Sequence, residues 1–383
     1  MIPFKTVPST PRMNRKSLLK GLALGTLSLP FLLRGTLGDT LAQTDTGAYD
    51  RPDGRTWNWR MVTTWPPNFP ILDEGCKLFA EWVRVMSGGR LNIQVYGGGE
   101  LVPALECFDA VRSGAAEMGS GAAYYWAGKV PAAQFFASVP FGMNAQQHST
   151  WILHGGGLEL WREVYGNYGL VPYLAGNTGL QMGGWFRREI RSIDDLRGLK
   201  MRIPGLGGKV LAKAGGTPVL LAGGELYTGL ERGVIDATEW IGPYHDTLMG
   251  FPEIAPYYYT PGWHELGTAF ELFANRDALH ELPPDLQLIV ETAALRLNDW
   301  TWLAFEAKNA EYLGQIQRGP TDIRRFPKPV LDQLRTLTDE VIAELTTRDP
   351  LARRVYASYD AFRKQMKPWA ELTEQVYYGE LMG

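Results

Sequence analysis

The residues best suited to bind a small ligand are an arginine and two glutamates that lie in otherwise apolar segments. Arg202 lies between Met201 and Ile203, and a planar guanidinium group can bind both oxygens of a carboxylate at once. An arginine in this setting either lies along the protein surface or points at a carboxylate. Both interpretations stay open on this segment alone, and the second would make Arg202 the anchor for an organic acid.

The two glutamates are Glu239, in the segment 236–244, and Glu265, which ends the run Gly262-Trp263-His264-Glu265. Two carboxylates beside a cleft can form an acid/base pair, a structural salt-bridge site or the oxygen ligands of a hard metal ion. The amides of Asn177 and Gln181 could also bind a ligand or coordinate a cation, but amides flanked by glycines occur in plain turns as well. An amide oxygen with two glutamates suits Na⁺ or Ca²⁺ better than Zn²⁺.

Familiar motifs for catalysis and phosphate binding are incomplete or missing in this sequence. The run GLGGK at 205–209 fits neither GxGxxG nor GxxxxGK[ST], because Val210 stands where a hydroxyl is needed. The chain has no HExxH and no GxSxG motif. We therefore predict surface or structural roles for its five histidines, which are His148, His154, His245, His264 and His280.

Composition narrows the class of protein further. The chain has 383 residues, of which 45% are hydrophobic, and this length exceeds the needs of one compact core. Its formal net charge of -3 leaves no basic surplus for a phosphate backbone, so we expect no nucleic-acid partner. The only cysteines, Cys76 and Cys107, could pair in an oxidising compartment or remain free, buried thiols.

An alternating pattern of strands and helices must position these residues. From Trp57 the order is strand, helix, strand, helix and strand, which predicts a parallel sheet with crossover helices. The sequence GGEL at 98–101 recurs at 223–226, and each copy is expected to open a helix; further strands are expected at 219–221 and 234–237. This repeat favours two similar lobes. Segments 120–126 and 238–244 should then face a shared cleft, because ligands bind beyond the carboxyl ends of parallel strands.

The C-terminal third is predicted to be helical. Residues 285–313 contain no glycine or proline and follow Pro283-Pro284, so they predict one helix roughly 43 Å long that braces both lobes. Two further amphipathic helices are expected at 330–347 and 351–367. This tail could pack against a partner chain or cover its own lobe.

The N-terminus has the features of a cleavable export signal in residues 1–42. Basic residues from Arg12 to Lys20 precede an apolar run at 22–33, and the small-residue site Thr40-Leu41-Ala42 follows. The pair Arg15-Lys16 approximates a twin-arginine export motif in which lysine replaces the second arginine. We therefore expect a periplasmic protein, while the export pathway stays open.

Four segments stand out together, and they are NTGLQMGGWF at 177–186, LKMRIPGLGG at 199–208, ELYTGLERGVIDATEWIGPY at 225–244 and PGWHE at 261–265. They resemble one family, the periplasmic solute-binding receptors of TRAP (tripartite ATP-independent periplasmic) transporters. The likeness covers roughly residues 57–383 and is greatest to the branch that binds 2-oxo acids or lactate with a metal ion. It implies an α/β, two-lobed periplasmic binding protein fold with a long helix bracing both lobes and a helical C-terminal tail.

The resemblance also implies a role for each candidate residue. Arg202 would bind the ligand's carboxylate, and Tyr125, Asn177, Gln181 and Trp240 would be further substrate contacts. The metal ion, Na⁺ or Ca²⁺, would be held by the amide oxygen of Gln181, the main-chain carbonyl of Trp240 and the carboxylates of Glu239 and Glu265.

The implied domain organisation is an export signal at 1–42, lobe I at 55–175 plus about 264–300, lobe II at 176–263 plus about 301–327, and a helical tail at 328–383. The lobes would close on a small 2-oxo or 2-hydroxy monocarboxylate and hand it to the membrane permease; C-terminal helices could form a homodimer. The alternatives are a periplasmic hydrolase or lyase that uses Glu239 and Glu265 as acid and base, and a receptor-like subunit that binds a protein.

Overall fold

The computed structural model describes residues 54–382, so the predicted export signal at 1–42 lies outside the described part of the chain. Within residues 54–382 the strands form two sheets. The strands, in chain order, are β1 (Trp57–Thr63), β2 (Leu91–Tyr96), β3 (Met118–Gly121), β4 (Leu170–Asn177), β5 (Gly184–Phe186), β6 (Lys200–Arg202), β7 (Thr217–Val219), β8 (Ala237–Thr238), β9 (Tyr257–Thr260), β10 (Ala269–Asn275) and β11 (Asp322–Arg325).

The helices of the same part of the chain vary from single turns to a rod of 35 residues. In chain order they are α1 (Leu72–Met86), α2 (Cys107–Arg112), α3 (Gln134–Ala137), α4 (Ala145–His154), α5 (Gly157–Gly166), α6 (Gly205–Lys213), α7 (Leu226–Glu231), α8 (Pro243–Leu248), α9 (Phe251–Ile254), α10 (Arg276–His280), α11 (Pro284–Arg318), α12 (Lys328–Arg348), α13 (Pro350–Leu372) and α14 (Glu374–Val376).

The first sheet has the order β2-β1-β3-β10-β4 and the second has the order β11-β9-β5-β8-β6-β7. β1 pairs in parallel with β2 and β3, as the sequence pattern predicts. β10 is antiparallel to both of its neighbours, because the chain returns to the first sheet from the second. Both sheets are therefore mixed rather than purely parallel, and the α/β class is confirmed.

Three connections carry the chain from one sheet to the other, and they are β4 to β5, β9 to β10 and β10 to β11. The first two are short and consist of residues 178–183 and 261–268, whereas the third, 276–321, contains α10 and α11. Any side chain on a short crossing lies near both sheets, which is where a ligand held between them would be contacted.

The long C-terminal helix predicted from the sequence is confirmed and extends beyond the predicted bounds. α11 runs through Gly314 to Arg318 and packs against α1 and β4 of the first sheet and against α8 beside the second. α12 and α13 likewise exceed the predicted ranges by a few residues. Among residues 54–382, no helix combines the length and apolarity that a membrane span requires.

The second GGEL copy opens a helix as predicted, whereas the first does not, which corrects the sequence prediction there. Residues 98–101 form a turn that ends before the 3₁₀ turn at 104–106 and α2, but residues 223–225 form a 3₁₀ turn that leads directly into α7 at Leu226. In both copies the glutamate accepts a hydrogen bond from the main chain three residues earlier, Glu100 from Gly97 at 2.6 Å and Glu225 from Ala222 at 3.1 Å. The repeat is therefore real, but the glutamate closes a turn ahead of the helix only in the first copy, and in the second it caps the start of the helix.

Strand bounds near the second copy also differ from the prediction. β7 covers 217–219 rather than 219–221, and β8 contains only Ala237 and Thr238 rather than 234–237. Gly233 and Val234 belong to the turn that follows α7, and Val234 is exposed. The exposed turn residues cannot join a buried sheet, so the strand starts later. Cys76 and Cys107 are both free and buried.

Candidate functional site

Arg202 occupies the carboxyl end of β6, where the second sheet meets the candidate site. Its side chain is buried, with 1% of its surface exposed, although the isolated charge of a buried arginine is unfavourable without a partner. Glu239 provides that partner through an ion pair from guanidinium Nη1 to carboxylate Oε1. The main-chain carbonyl of Glu239 also accepts a hydrogen bond from Nη1 at 3.3 Å.

The first sheet contributes a tyrosine to the same guanidinium. Tyr125 lies on a 3₁₀ turn that follows β3, and its hydroxyl accepts a hydrogen bond from Arg202 Nη2 at 3.1 Å. The approach of this turn to the second sheet depends on Gly205, which has a φ of 59° and lies against Tyr124. A Cβ at Gly205 would come within 2.9 Å of Tyr124 Cβ. Glycine at this position therefore allows both the backbone turn and the close contact.

Trp240 follows Glu239 and packs its indole ring near Arg202. The guanidinium carbon of Arg202 is 5.1 Å from the Trp240 ring centroid and 6.0 Å from that of Tyr125. Cation–π contacts at these distances stabilise a buried positive charge. The structure thus brings Tyr125, Arg202, Glu239 and Trp240 together.

Gln181 and Glu265 form the second half of the site, one on each crossing between the sheets. Gln181 Nε2 donates to Glu265 Oε2 at 2.8 Å. The hydroxyl of Thr268 also donates to Glu265 Oε2, and the hydroxyl of Tyr124 lies 3.5 Å from it. Glu265 is buried, and burial, reinforced by the nearby charge of Glu239, raises the pKa of its carboxyl group to about 7.

The two halves meet at a cluster of possible metal ligands. One ligand atom from each of Glu239, His264 and Glu265 lies within 4.8 Å of the others, and all three residues are buried. Nε2 of His264 is 3.5 Å from Oε2 of Glu239. His264, for which the sequence predicts a surface or structural role, is buried within this cluster. Its position directly before Glu265 is the one signal that could have indicated it.

Several buried polar atoms of these residues have no hydrogen-bond partner within residues 54–382. The acceptors of this kind are Oε1 of Gln181 and Oε2 of Glu239, and the donors are Nδ2 of Asn177 and Nε1 of Trp240. Both ring nitrogens of His264 also lack a hydrogen bond, although Nε2 lies 3.5 Å from Oε2 of Glu239. Buried polar groups are normally satisfied. The unpaired oxygens fit a cation and the unpaired N–H groups fit the oxygens of an acid, so the residues present suit the ligands that the sequence resemblance implies.

Asn177 has fewer contacts with the other predicted site residues than Gln181, Arg202 or Glu239. It ends β4, and its side-chain oxygen accepts a hydrogen bond from Gly179 N at 2.9 Å. Within the described part of the chain, no hydrogen bond joins it to Arg202, Glu239 or Glu265. Asn177 therefore lies at the start of the crossing that carries Gln181, with its amide nitrogen unpaired.

Comparisons with known proteins agree on one family. The model of the bacterial extracellular solute-binding protein family 7, DctP, matches residues 61–349. The chain is 38% identical over 367 residues, which is 95% of this chain and 98% of the relative, to a monocarboxylate 2-oxoacid-binding periplasmic protein from Nostoc sp..

Solved structures of TRAP periplasmic solute-binding proteins superpose closely on the chain. One from Colwellia psychrerythraea holds calcium and pyruvate and one from Pseudoalteromonas atlantica holds sodium and pyruvate; each is 42% identical, with a TM-score of 0.83 over 85% of this chain and 99% of its own. A third, from Bordetella bronchiseptica, is a mixed-occupancy dimer with calcium and picolinate. It is 36% identical, with a TM-score of 0.84 over 86% of this chain and 98% of its own.

These relatives are receptors and not enzymes, so the alternative of a hydrolase or lyase finds no support. The match covers most of the chain, and it includes the segments that carry Gln181, Arg202, Glu239 and Glu265. The chain belongs to the DctP family of bacterial extracellular solute-binding proteins, the solute receptors of TRAP transporters.

Proposed function

We propose that this chain is a periplasmic receptor that binds a small 2-oxo or 2-hydroxy monocarboxylate together with Na⁺ or Ca²⁺ and delivers the acid to a TRAP permease. The observation that carries the proposal is the buried Arg202 beside Glu239, Glu265 and unpaired amide oxygen at the junction of the two sheets. Relatives that bind pyruvate with calcium or sodium support it.

Arg202 is the proposed anchor for the acid. Its guanidinium can bind both carboxylate oxygens, and the Tyr125 hydroxyl beside it at 3.1 Å holds the group in place. The unpaired N–H groups of Asn177 and Trp240 are additional donors, suited to an oxygen on the carbon next to the carboxylate. A monocarboxylate with such an oxygen uses all three donors, whereas a simple fatty acid does not.

The proposed cation ligands are Oε1 of Gln181, Oε2 of Glu239, the carboxylate of Glu265 and the main-chain carbonyl of Trp240. Because Nε2 of Gln181 donates to Glu265, the amide oxygen of Gln181 is left to coordinate. An all-oxygen set of this kind suits hard cations. The cation supplies positive charge that allows two buried carboxylates and the acid to remain ionised together.

The charge balance couples the two ligands. The acid, Glu239 and Glu265 provide three negative charges, and Arg202 with a divalent cation provides three positive charges; Na⁺ would leave one negative charge. In the structure Arg202 pairs with Glu239. When the acid binds, Arg202 must pair with the acid instead, and the carboxylate of Glu239 is then free to coordinate the cation. We infer that the acid and the cation each raise the affinity of the site for the other, a reciprocal coupling.

Other parts of the proposal concern the rest of the chain. Export by the signal in 1–42, with its twin-arginine-like Arg15-Lys16, would place the receptor in the periplasm beside the permease. The domain division with lobe I at 55–175 plus about 264–300, lobe II at 176–263 plus about 301–327 and a tail at 328–383 would allow closure around the acid. Exposed apolar residues at the tail, which include Trp369, Leu372 and Leu381, support a homodimer through the C-terminal helices.

Mass spectrometry of ligand released from the purified protein, with elemental analysis for calcium and sodium, tests the proposal. Thermal denaturation should then show a rise in melting temperature with pyruvate or lactate in the presence of Ca²⁺, and a much smaller rise with acetate. Acetate is the matched control because it lacks the oxygen on the neighbouring carbon. Catalytic consumption of pyruvate, or no response to any small acid with either cation, would contradict the receptor assignment.

A further inference from the structure

The loop at 66–71, between β1 and α1, has an unusual backbone outside the site described above. It contains Pro66, Pro67 and Pro70, and two of its residues have a positive φ, 58° at Asn68 and 62° at Ile71. A positive φ is disfavoured for a β-branched residue such as isoleucine. Backbone of this kind persists only where its surroundings hold it, and it tends to occur at ligand clamps and switch regions.

The surroundings hold this loop from the side of the first sheet. Asp73 accepts a hydrogen bond from the main-chain N–H of Asn68 at 2.9 Å, and Glu74 accepts one from Ile71 at 3.1 Å. Lys77 donates to the side chain of Asn68 at 2.8 Å. Gly97 lies so close that a Cβ there would be 2.8 Å from Pro67. The loop is therefore a preformed, rigid projection of the first sheet.

The tip of this loop reaches residues that follow β8 of the second sheet. The Phe69 ring lies edge-on to His245 with centroids 4.5 Å apart, and edge-on to Trp240 at 6.3 Å. The carbonyl of Pro70 accepts a hydrogen bond from Nε2 of His245 at 2.9 Å. Burial lowers the pKa of His245 to about 3, so its imidazole is neutral and its one proton is on Nε2 for this bond.

Through Trp240 the loop is connected to the proposed ligand site. The Trp240 ring contacts Phe69 on one hand and Arg202 on the other, and Trp240 follows Glu239 in the chain. The loop belongs to the first sheet. The residues that its tip contacts, Trp240 and His245, follow β8 of the second sheet. A separation of the sheets would break the ring contacts and the Pro70–His245 hydrogen bond together, and closing would restore them.

We propose that Phe69 and Pro70 form a closure latch, in which Phe69 is a positioning residue that holds Trp240 beside Arg202 and slows release of the acid. The latch rests on the proposed function, since it acts on bound ligand. In this proposal the loop at 66–71 lowers the rate at which the acid dissociates, and it does so without contacting the acid. The rigid backbone keeps the latch in position before the sheets come together.

The test compares Phe69→Ala with the wild-type chain in stopped-flow measurements of pyruvate release in the presence of Ca²⁺. Loss of this partly buried aromatic contact should make release about 10-fold faster, with the association rate within about twofold of wild type. The melting temperature without ligand should stay unchanged, a readout that a purely structural role would lower. Tyr96→Ala, which removes a half-buried aromatic from the edge strand β2 of the same sheet, is the control and should release pyruvate at the wild-type rate.

Each outcome decides the proposal. If the wild-type chain does not respond to pyruvate with Ca²⁺, the proposed function fails and the latch fails with it. If the wild type responds and Phe69→Ala releases pyruvate at the wild-type rate, the latch alone is overturned. If Phe69→Ala fails to fold, Phe69→Leu replaces it, because leucine keeps most of the apolar volume but loses the aromatic edge contacts. Pyruvate release faster than that of the wild type then supports the latch, and an unchanged release rate overturns it.

Discussion

Two buried carboxyl groups a few residues apart, Glu265 and Glu271, are held in very different surroundings. Glu271 lies on β10 of the first sheet and accepts hydrogen bonds from Trp126 Nε1 at 2.6 Å and Tyr165 OH at 3.0 Å. Its partners are neutral, and burial raises its pKa to about 8. Glu265 lies on a crossing between the sheets and shares its surroundings with Glu239, His264 and Arg202.

The difference separates a structural carboxyl group from a candidate binding group. Glu271 is kept protonated at neutral pH and serves as a hydrogen-bond centre for aromatic side chains. Glu265 belongs to a cluster in which opposite charges and unpaired acceptor atoms occur together. Burial alone therefore does not identify a site in this protein. The combination of buried charge of both signs with unpaired donors and acceptors does so.

The largest effect is expected at the positive charge of this junction. Arg202→Ala should weaken pyruvate binding by about 3–5 kcal/mol, because the buried carboxylate loses its charged partner. Isothermal titration calorimetry in the presence of Ca²⁺ measures this change. Arg191→Ala is the control, since that side chain is 80% exposed and its loss should leave affinity unaltered. An Arg202→Ala affinity within a factor of three of wild type would remove Arg202 from the site.

A smaller effect should follow from neutralising the carboxylates on the proposed cation. The double change Glu239→Gln and Glu265→Gln keeps the volume of both side chains but removes the charge that attracts Ca²⁺. We expect Ca²⁺ to raise the pyruvate affinity of the wild type by about tenfold and to leave that of the double variant unchanged. The matched control is Glu271→Gln, the same change at a buried glutamate outside the cluster, which should retain the gain. Calcium enhancement that persists in the double variant would place the cation elsewhere.

A third effect concerns stability rather than ligand binding, and it arises in the first sheet. The pKa of Glu271 is raised to about 8 in the folded chain from 4.5, so the folded state holds a proton that the unfolded state has lost. The stability that Glu271 contributes is then fully present below the ordinary pKa of a glutamate and declines as pH rises towards 8, by on the order of 1 kcal/mol per pH unit. Glu271→Gln should abolish this decline, so the free energy of unfolding of the variant should rise relative to that of the wild type between pH 6 and 8.

Urea denaturation at pH 5 and pH 8 measures this change. Glu159→Gln, an exposed residue of α5, is the control and should leave the pH dependence of stability as it is. Equal destabilisation of Glu271→Gln at both pH values would show that the hydrogen bonds to Trp126 and Tyr165, rather than the proton, dominate at this position.

Several elements could be predicted because they follow from local rules. The long helix α11 follows from a stretch without glycine or proline after Pro283-Pro284, and its bounds exceed the prediction only at the ends. The predicted opening of a helix is confirmed at the second GGEL copy, where α7 begins at Leu226. It was wrong at the first copy, because Glu100 binds the main chain of Gly97 and closes a turn instead. Side-chain hydrogen bonds to nearby backbone compete with helix formation in this way.

The candidate site could be predicted in its residue types but only partly in its members. Arg202, Glu239 and Glu265 stand out as charges in apolar segments, and family resemblance assigned their roles. His264 did not stand out, because a lone histidine has no motif and its neighbours in space come from another segment. Phe69 and His245 were also missed, since their contact joins residues 176 positions apart, and no local pattern reports such a pair.

The sequence by itself determined the α/β pattern, the long bracing helix and an arginine and two glutamates in apolar surroundings, because these depend on residue type and on spacing along one stretch of chain. Only the tertiary structure decided that Gln181 meets Glu265, 84 residues away, that Arg202 pairs with Glu239 and that Phe69 meets Trp240. The reason is that strand order and the two short crossings between the sheets bring these side chains together, and strand order depends on packing of the whole chain.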